Sequence, residues 1–137
     1  MDFEAVVMHY LAAKGLFLSP QFSIRDSAGE RSCPDFVALD FLNREIQVVE
    51  VTTAYEVKGL IEKLENREEQ WFKRLRPQLI RMGVTDDSWK CVVCAYVRKE
   101  RRDYIERKIQ GANDVRVTAV EDIAFSWNWP WNSWAKA

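Results

Sequence analysis

Residues 34–53 have the sequence PDFVALDFLNREIQVVEVTT, and this stretch decides the fold class that we predict. Its two apolar runs, at residues 35–41 and 45–53, have the length and composition of β-strands. The connector LNR between them is of hairpin length, so we expect two adjacent antiparallel strands. A carboxylate interrupts each run, because Asp35 begins the first and Glu50 lies inside the second.

The residues before this strand pair predict one helix and one further strand. Residues 3–14 carry apolar side chains at helical spacing, and Gly15 follows at the position of a helix C-terminus. Residues 21–26 alternate between apolar and polar side chains and precede the turn-forming sequence SAGERSCP. We therefore expect a helix followed by a three-stranded meander.

A long helix is predicted after the strand pair. Thr53 and Glu56 have the spacing of a capping box, and a 3.6-residue apolar stripe continues to about residue 76, before Pro77. Three elements follow: a buried strand at residues 89–97, a charged helix at 101–110 and a strand at 114–120. The order α-β-β-β-α-β-α-β predicts an α/β protein with a mixed central sheet flanked by helices.

Composition and charge limit the function. The 137 residues suffice for one domain with a core, and 20 basic residues nearly balance 21 acidic ones. This balance excludes a protein that holds nucleic acid through bulk positive charge alone, so a polyanion needs a local basic patch. No stretch approaches the roughly 20 apolar residues of a membrane helix, and the acidic N-terminus is unlike a signal peptide. We therefore expect a cytoplasmic protein that does not bind membranes.

The three cysteines are too few and odd in number for a disulfide framework. Cys91 and Cys94 have the spacing of a metal-binding pair, but they lie in an apolar strand. Residues three apart in a strand point to opposite faces, so we predict buried thiols instead of a shared zinc ion.

The C-terminal end differs from the rest of the chain. We predict a single domain at residues 1–125 and a tryptophan-rich tail at residues 126–137. Trp127, Trp129 and Trp131 alternate in this tail, which predicts an extended segment with one aromatic face. Such a face suits the cover of an exposed core edge, or contact with a second copy or another protein, better than it suits base stacking.

Asp35 and Glu50 are candidate metal ligands. Strand alternation places Glu50 and Thr52 on one face, and antiparallel pairing can bring Asp35 beside Glu50. Two adjacent carboxylates in apolar strands need a counterion, and Mg²⁺ or Mn²⁺ takes oxygen ligands of this kind. The structural alternatives are a strand-initiating turn residue for Asp35 and an ordinary salt bridge for Glu50.

The dipeptide Pro34-Asp35, followed fifteen residues after the aspartate by Glu50 in VVEVT, resembles the motif of the PD-(D/E)XK nuclease superfamily. The resemblance covers roughly residues 1–97 and implies the αβββαβ core of that superfamily. It also implies Mg²⁺- or Mn²⁺-dependent hydrolysis of phosphodiester bonds, with DNA as the expected partner.

The same resemblance assigns site residues. Asp35 and Glu50 would bind the metal together with the backbone carbonyl of Val51. Glu4 corresponds to an acidic residue that many members carry on the first helix. Gln70 corresponds to a polar residue on the helix after the third strand.

One position departs from the family motif. The motif has lysine two residues after its second acid, whereas this chain has Thr52, whose hydroxyl can hydrogen-bond a water but carries no charge. Some members carry the lysine on the adjacent helix, which makes Lys58 and Lys63 the candidates. Lys63 is preferred, because Lys58 falls nearer the far side of that helix. If neither reaches the site, the chain is an inactive nuclease-fold module that binds protein or nucleic acid.

Two basic clusters are candidates for contact with a phosphate backbone, and acids are interspersed in both. A solvated helix face is therefore the alternative. The clusters comprise Lys73, Arg74, Arg76 and Arg81, and then Arg98, Lys99, Arg101, Arg102, Arg107 and Lys108.

Overall fold

The structure is a computed structural model that describes residues 2–124, and the predicted tail at residues 126–137 lies outside this range. In chain order the elements are α1 (Phe3–Ala13), β1 (Phe17–Pro20), β2 (Ile24–Asp26), β3 (Gly29–Ser32), β4 (Phe36–Asp40), β5 (Glu45–Thr52), α2 (Lys58–Glu65), a π-helical turn (Glu68–Phe72), α3 (Lys73–Arg81), β6 (Lys90–Val97), α4 (Lys99–Lys108), β7 (Val115–Ala119) and α5 (Val120–Ala124).

Five of the strands form the central sheet in the order β1-β4-β5-β6-β7. Strand β4 pairs antiparallel with both β1 and β5, whereas β6 pairs parallel with both β5 and β7. The α/β class and the mixed sheet flanked by helices, as predicted from the sequence, are therefore confirmed. Strands β4 and β5 pair Phe36 with Val49 and Val37 with Val48, and extension of this register by one residue would set Asp35 opposite Glu50.

Helices cover both faces of the sheet. On one face Val48 packs in a core with the α2–α3 segment and α4, which contribute Leu64 and Ile105. On the other face Val49 packs with α1 and α5, which contribute Leu11 and Ile123. A strand buried on both faces has a nearly continuous apolar sequence, and a charged residue such as Glu50 therefore stands out in β5.

A strand, β2, lies within the predicted residues 21–26, but its expected place in the central sheet is wrong. The first strand of the central sheet is β1, and β2 pairs instead with β3 in a separate two-stranded sheet. The chain turns between them, where Gln21 has a φ of 49° and its backbone N–H donates to the carbonyl of Asp35 at 2.7 Å. Local alternation predicts a strand but carries no information on its partner.

The predicted capping box is also wrong. Helix α2 begins at Lys58 after Val57, which makes no side-chain cap, and Glu56 accepts from the backbone N–H of Lys58 instead. The helical segment continues past Pro77 to the end of α3. A proline in a helix clashes with the carbonyl four residues earlier, which here belongs to Lys73.

The remaining predicted elements agree with the structure to within about two residues, whereas β1, β3 and α5 were not predicted from the sequence. Cys91 and Cys94 are buried on opposite faces of β6, as expected. Burial raises the pKa of both thiols to about 11. None of the helices in residues 2–124 has the length and apolar character that crossing a bilayer requires.

The Leu64→Ala variant tests the packing of α2 on the sheet. Leu64 is fully buried, so we expect the substitution to lower the free energy of unfolding by about 3 kcal/mol. Urea denaturation measures this change, with the exposed neighbour Glu65→Ala as the control. Equal stability of the two variants would contradict the described core.

Candidate active site

The two carboxylates singled out in the sequence meet near the carboxyl end of β5. Asp35 directly precedes β4, and its Oδ2 accepts a hydrogen bond from the backbone N–H of Val51 at 2.7 Å. The Asp35 and Glu50 carboxyl groups lie close enough to interact, and burial together with Asp35 raises the pKa of Glu50. The antiparallel register thus brings residues fifteen positions apart into one polar pair, which we call the carboxylate pair.

Glu50 occupies an unfavourable place for a charge. Its side chain is only 12% exposed, and burial together with the negative charge of Asp35 raises its pKa to about 7. Both effects disfavour the ionised carboxylate, because one removes water and the other adds a like charge. Lys63 opposes them only in part. The carboxylate pair therefore favours a proton or another cation at neutral pH.

Lys63 is the lysine that the structure places beside the pair. Its Nζ lies 3.8 Å from Oε1 of Glu50, and its side chain is 49% exposed. Lys58 is exposed at the start of α2 and takes part in none of the ion pairs described within residues 2–124. Thr52 is half-buried at the end of β5, where it pairs with Val97. A positive charge thus lies next to Glu50 although position 52 carries none.

Glu4 is exposed in the first turn of α1, which packs on the opposite face of the sheet from Lys63. Partial burial and the negative charge of Asp35 raise the pKa of Glu4. The electrostatic influence of Asp35 thus extends to α1, and Glu4 adds a third carboxylate to the surroundings of the pair.

The neighbourhood includes groups that the sequence analysis assigned differently or missed. Gln70 donates from Nε2 to Oγ of Ser32 at 3.3 Å, so its described hydrogen bond is to β3 and not to the carboxylate pair. Cys33 is exposed, and the pKa of its thiol is raised mainly by partial burial and also by the nearby carboxylates of Glu30, Asp35 and Glu50. Its position next to Pro34 in sequence was the only signal for it.

The donor atoms suit a hydrated cation of the Mg²⁺ type. No group of three or more histidine, cysteine, aspartate or glutamate side chains within residues 2–124 is arranged to hold a metal. The carboxylate pair, however, has a backbone carbonyl oxygen nearby that could serve as a metal ligand. The carbonyl of Val51 points to the same side of β5 as its N–H, which donates to Asp35. Because Mg²⁺ keeps several waters, one or two carboxylates are sufficient side-chain ligands.

Most of the predicted basic clusters are neutralised by acids. The ion pairs of these clusters are Lys73 with Glu69, Arg74 with Asp26, Arg76 with Glu68, Arg98 with Glu100, Lys99 with Asp122, and Arg102 with Asp103, Glu106 and Asp122. Within residues 2–124, Arg81, Arg101, Arg107 and Lys108 are in none of the described ion pairs. Surplus positive charge is therefore concentrated on α4.

No model of a known protein family matches the chain, and no curated protein matches it. The resemblance to PD-(D/E)XK nucleases therefore depends on the residues themselves. It consists of Pro34-Asp35, Glu50, the order of the elements and the contact between the two carboxyl groups.

The Glu50→Gln variant tests the electrostatic cost of the carboxylate pair. A raised pKa means that the folded state prefers protonated Glu50. Its stabilising contribution is therefore complete below about pH 4.5 and is lost as the pH rises through about 7. Glutamine is neutral throughout, so we expect the variant to be more stable than wild type by about 2 kcal/mol at pH 8 and little changed at pH 4.

Urea denaturation in EDTA at both pH values measures this difference. The exposed residue Glu62 on α2 provides the matched control variant, Glu62→Gln, for which we expect little change at either pH. A Glu50→Gln variant that is destabilised at pH 8, or equally affected at both pH values, would contradict the described environment of Glu50.

Proposed function

We propose that this chain is a metal-dependent nuclease of the PD-(D/E)XK type that hydrolyses phosphodiester bonds in DNA, and that Lys63 supplies the charge of the missing motif lysine. The observation that carries this proposal is the contact between Asp35 and Glu50, with Lys63 Nζ 3.8 Å from the Glu50 carboxylate. Two carboxylates and one lysine at a strand end are the groups that this chemistry requires.

The chain holds these groups in place before any substrate binds. The hydrogen bond from Val51 N–H orients Asp35, and burial within the sheet restricts Glu50. Together with the Val51 carbonyl they would hold Mg²⁺ or Mn²⁺. When bound, the ion supplies Lewis acidity that activates water and neutralises charge on a phosphate.

The remaining groups act on water and phosphate. The half-exposed ammonium of Lys63 can donate a hydrogen bond to a water or to a phosphate oxygen and stabilise negative charge that develops there. The hydroxyl of Thr52 can orient a water but cannot replace that charge. Glu4 would accept a hydrogen bond from a water beside Asp35.

Cleavage assays test the proposed activity. Purified protein comprising residues 1–137 is incubated with plasmid, linear duplex and single-stranded DNA in Mg²⁺ or Mn²⁺. We expect cleavage that EDTA abolishes and that Asp35→Asn and Glu50→Gln each reduce at least about 100-fold.

The lysine assignment is tested in the same assay. Lys63→Ala is expected to slow cleavage about 100-fold, because it removes a positive charge from the reacting phosphate. The matched control is Lys58→Ala on the same helix, which we expect to keep near-wild-type activity. No cleavage of any substrate by wild type, or cleavage unaffected by the Asp35 and Glu50 variants, would refute the proposed nuclease.

Stabilisation by Mg²⁺ tests the metal site independently of catalysis. A ligand that binds only the folded state at 100 times its dissociation constant adds about 2.7 kcal/mol to stability. We expect Mg²⁺ to raise the melting temperature more at pH 8 than at pH 5, because a proton competes with the ion for Glu50. Asp35→Asn should lose this response, whereas Asp40→Asn, at the other end of β4, should keep it. A response that Asp35→Asn retains would place the ion elsewhere.

An inactive nuclease-fold module that binds protein or nucleic acid is the second candidate. Two observations favour it: Thr52 stands at the motif position, and few side chains in residues 2–124 are placed to ligate a metal. Wild-type protein that binds DNA but does not cleave it in either metal ion would support this candidate over the first.

A further inference from the structure

A stack of aromatic rings and cations lies at the end of the sheet where β5 and β6 finish. The guanidinium carbon of Arg101 is 4.3 Å from the ring centre of Tyr55 and 4.4 Å from that of Tyr104. The Nζ of Lys108 is 5.5 Å from the ring centre of Tyr104. We call these four side chains the Tyr55 platform.

The topology places the Tyr55 platform at the same edge of the sheet as the carboxylate pair. Strands β5 and β6 are parallel and end together, with Thr52 paired to Val97. The loop that carries Tyr55 and the helix α4 that carries Arg101 therefore leave the sheet at one edge. Tyr55 is five residues from Glu50, which limits the separation of their Cα atoms to about 18 Å.

The charge of the platform is not neutralised by its own helix. The acids of α4 pair with other arginines, since Glu100 contacts Arg98, and both Asp103 and Glu106 contact Arg102. Within residues 2–124 the Nε of Arg101 is buried and has no hydrogen-bond partner. Aromatic rings, instead of carboxylates, hold this cation, so its charge remains available to an anion.

Tyr55 presents an open aromatic surface. Its side chain is 60% exposed although its ring contacts Arg101. An exposed ring beside uncompensated cations is the combination that single-stranded nucleic acid requires, because bases stack on the ring and phosphates contact the cations. In a duplex the bases are already stacked on one another and do not offer this surface.

We propose that the Tyr55 platform binds single-stranded nucleic acid, with an unpaired base stacked on Tyr55 and a neighbouring phosphate contacting Arg101 and Lys108. This inference rests on the proposed function, because it names the substrate class of the same site. The strand would pass from the platform towards the carboxylate pair, so the preferred substrate is a single strand or a duplex with an unpaired end.

Binding measured without metal tests this inference separately from catalysis. Fluorescence anisotropy in EDTA compares a fluorescein-labelled oligothymidylate of about 15 nucleotides, long enough to span one binding site, with a blunt duplex of the same length. We expect the wild-type chain to prefer the single strand, Tyr55→Ala to weaken that binding about tenfold, and Tyr55→Trp to retain it. Arg101→Leu should weaken it as well, because it removes the cation.

The control variant is Phe17→Ala, which removes an aromatic side chain that is 68% exposed at the opposite edge of the sheet. We expect this variant to bind like wild type. Single-strand affinity unchanged by Tyr55→Ala would overturn the inference, as would the absence of any binding by wild type. A lowered melting temperature of Tyr55→Ala, with equal loss of binding to single strand and duplex, would also overturn it and leave the stack a structural brace.

The two proposals fail in different ways. DNA cleavage that does not depend on Tyr55 would refute the platform and leave the nuclease intact. Single-strand binding that depends on Tyr55, in a protein that cleaves nothing, would support the platform and refute the nuclease.

Discussion

The antiparallel register between β4 and β5 is the constraint on which the candidate site depends. Because Phe36 pairs with Val49 at the end of the ladder, Asp35 comes next to Glu50, and the hydrogen bond from the Val51 N–H holds the Asp35 carboxylate there. The like charges therefore remain together in a largely apolar sheet, where water screens them poorly. A protein that needed only a stable sheet would gain by placing an apolar residue at position 50.

The sheet can support this cost because its centre is covered on both sides. Strand β5 pairs along its whole length with β6, and helices pack on either face. Burial of Val48 and Val49 on opposite faces holds the strand while Glu50 remains unfavourable. The same arrangement is common at functional sites, where local destabilisation is offset by the surrounding structure.

Much of the fold follows from local patterns, and the candidate pair follows from two residues that break them. Strands β4, β5, β6 and β7 were predicted from their apolar runs, and Glu50 was conspicuous because it interrupts a buried strand. The partner of β2 was not predictable, since alternation does not identify a neighbour. The capping box predicted at Thr53 was wrong because a capping motif is only one of several ways to begin a helix.

Contacts between segments distant in sequence were equally beyond the sequence analysis. The position of Lys63 beside Glu50 depends on where α2 begins and how it packs, so the helical pattern could favour this residue but could not give the distance. The contact of Tyr55 with Arg101 joins a loop and a helix 46 positions apart. No spacing rule connects residues that meet only because two parallel strands end at one edge.

The positive charge beside Glu50 comes from Lys63 on helix α2 and not from residue 52 of β5, which has an evolutionary consequence. A threonine codon that ends in adenine or guanine becomes a lysine codon through a single base change, so from such a codon position 52 can gain a lysine in one step. While Lys63 lies beside Glu50, such a change would add a charge instead of restoring one, and either lysine could later be lost. The lysine can therefore change between positions 52 and 63 during evolution, and descendants of one ancestor can carry the same charge on different elements.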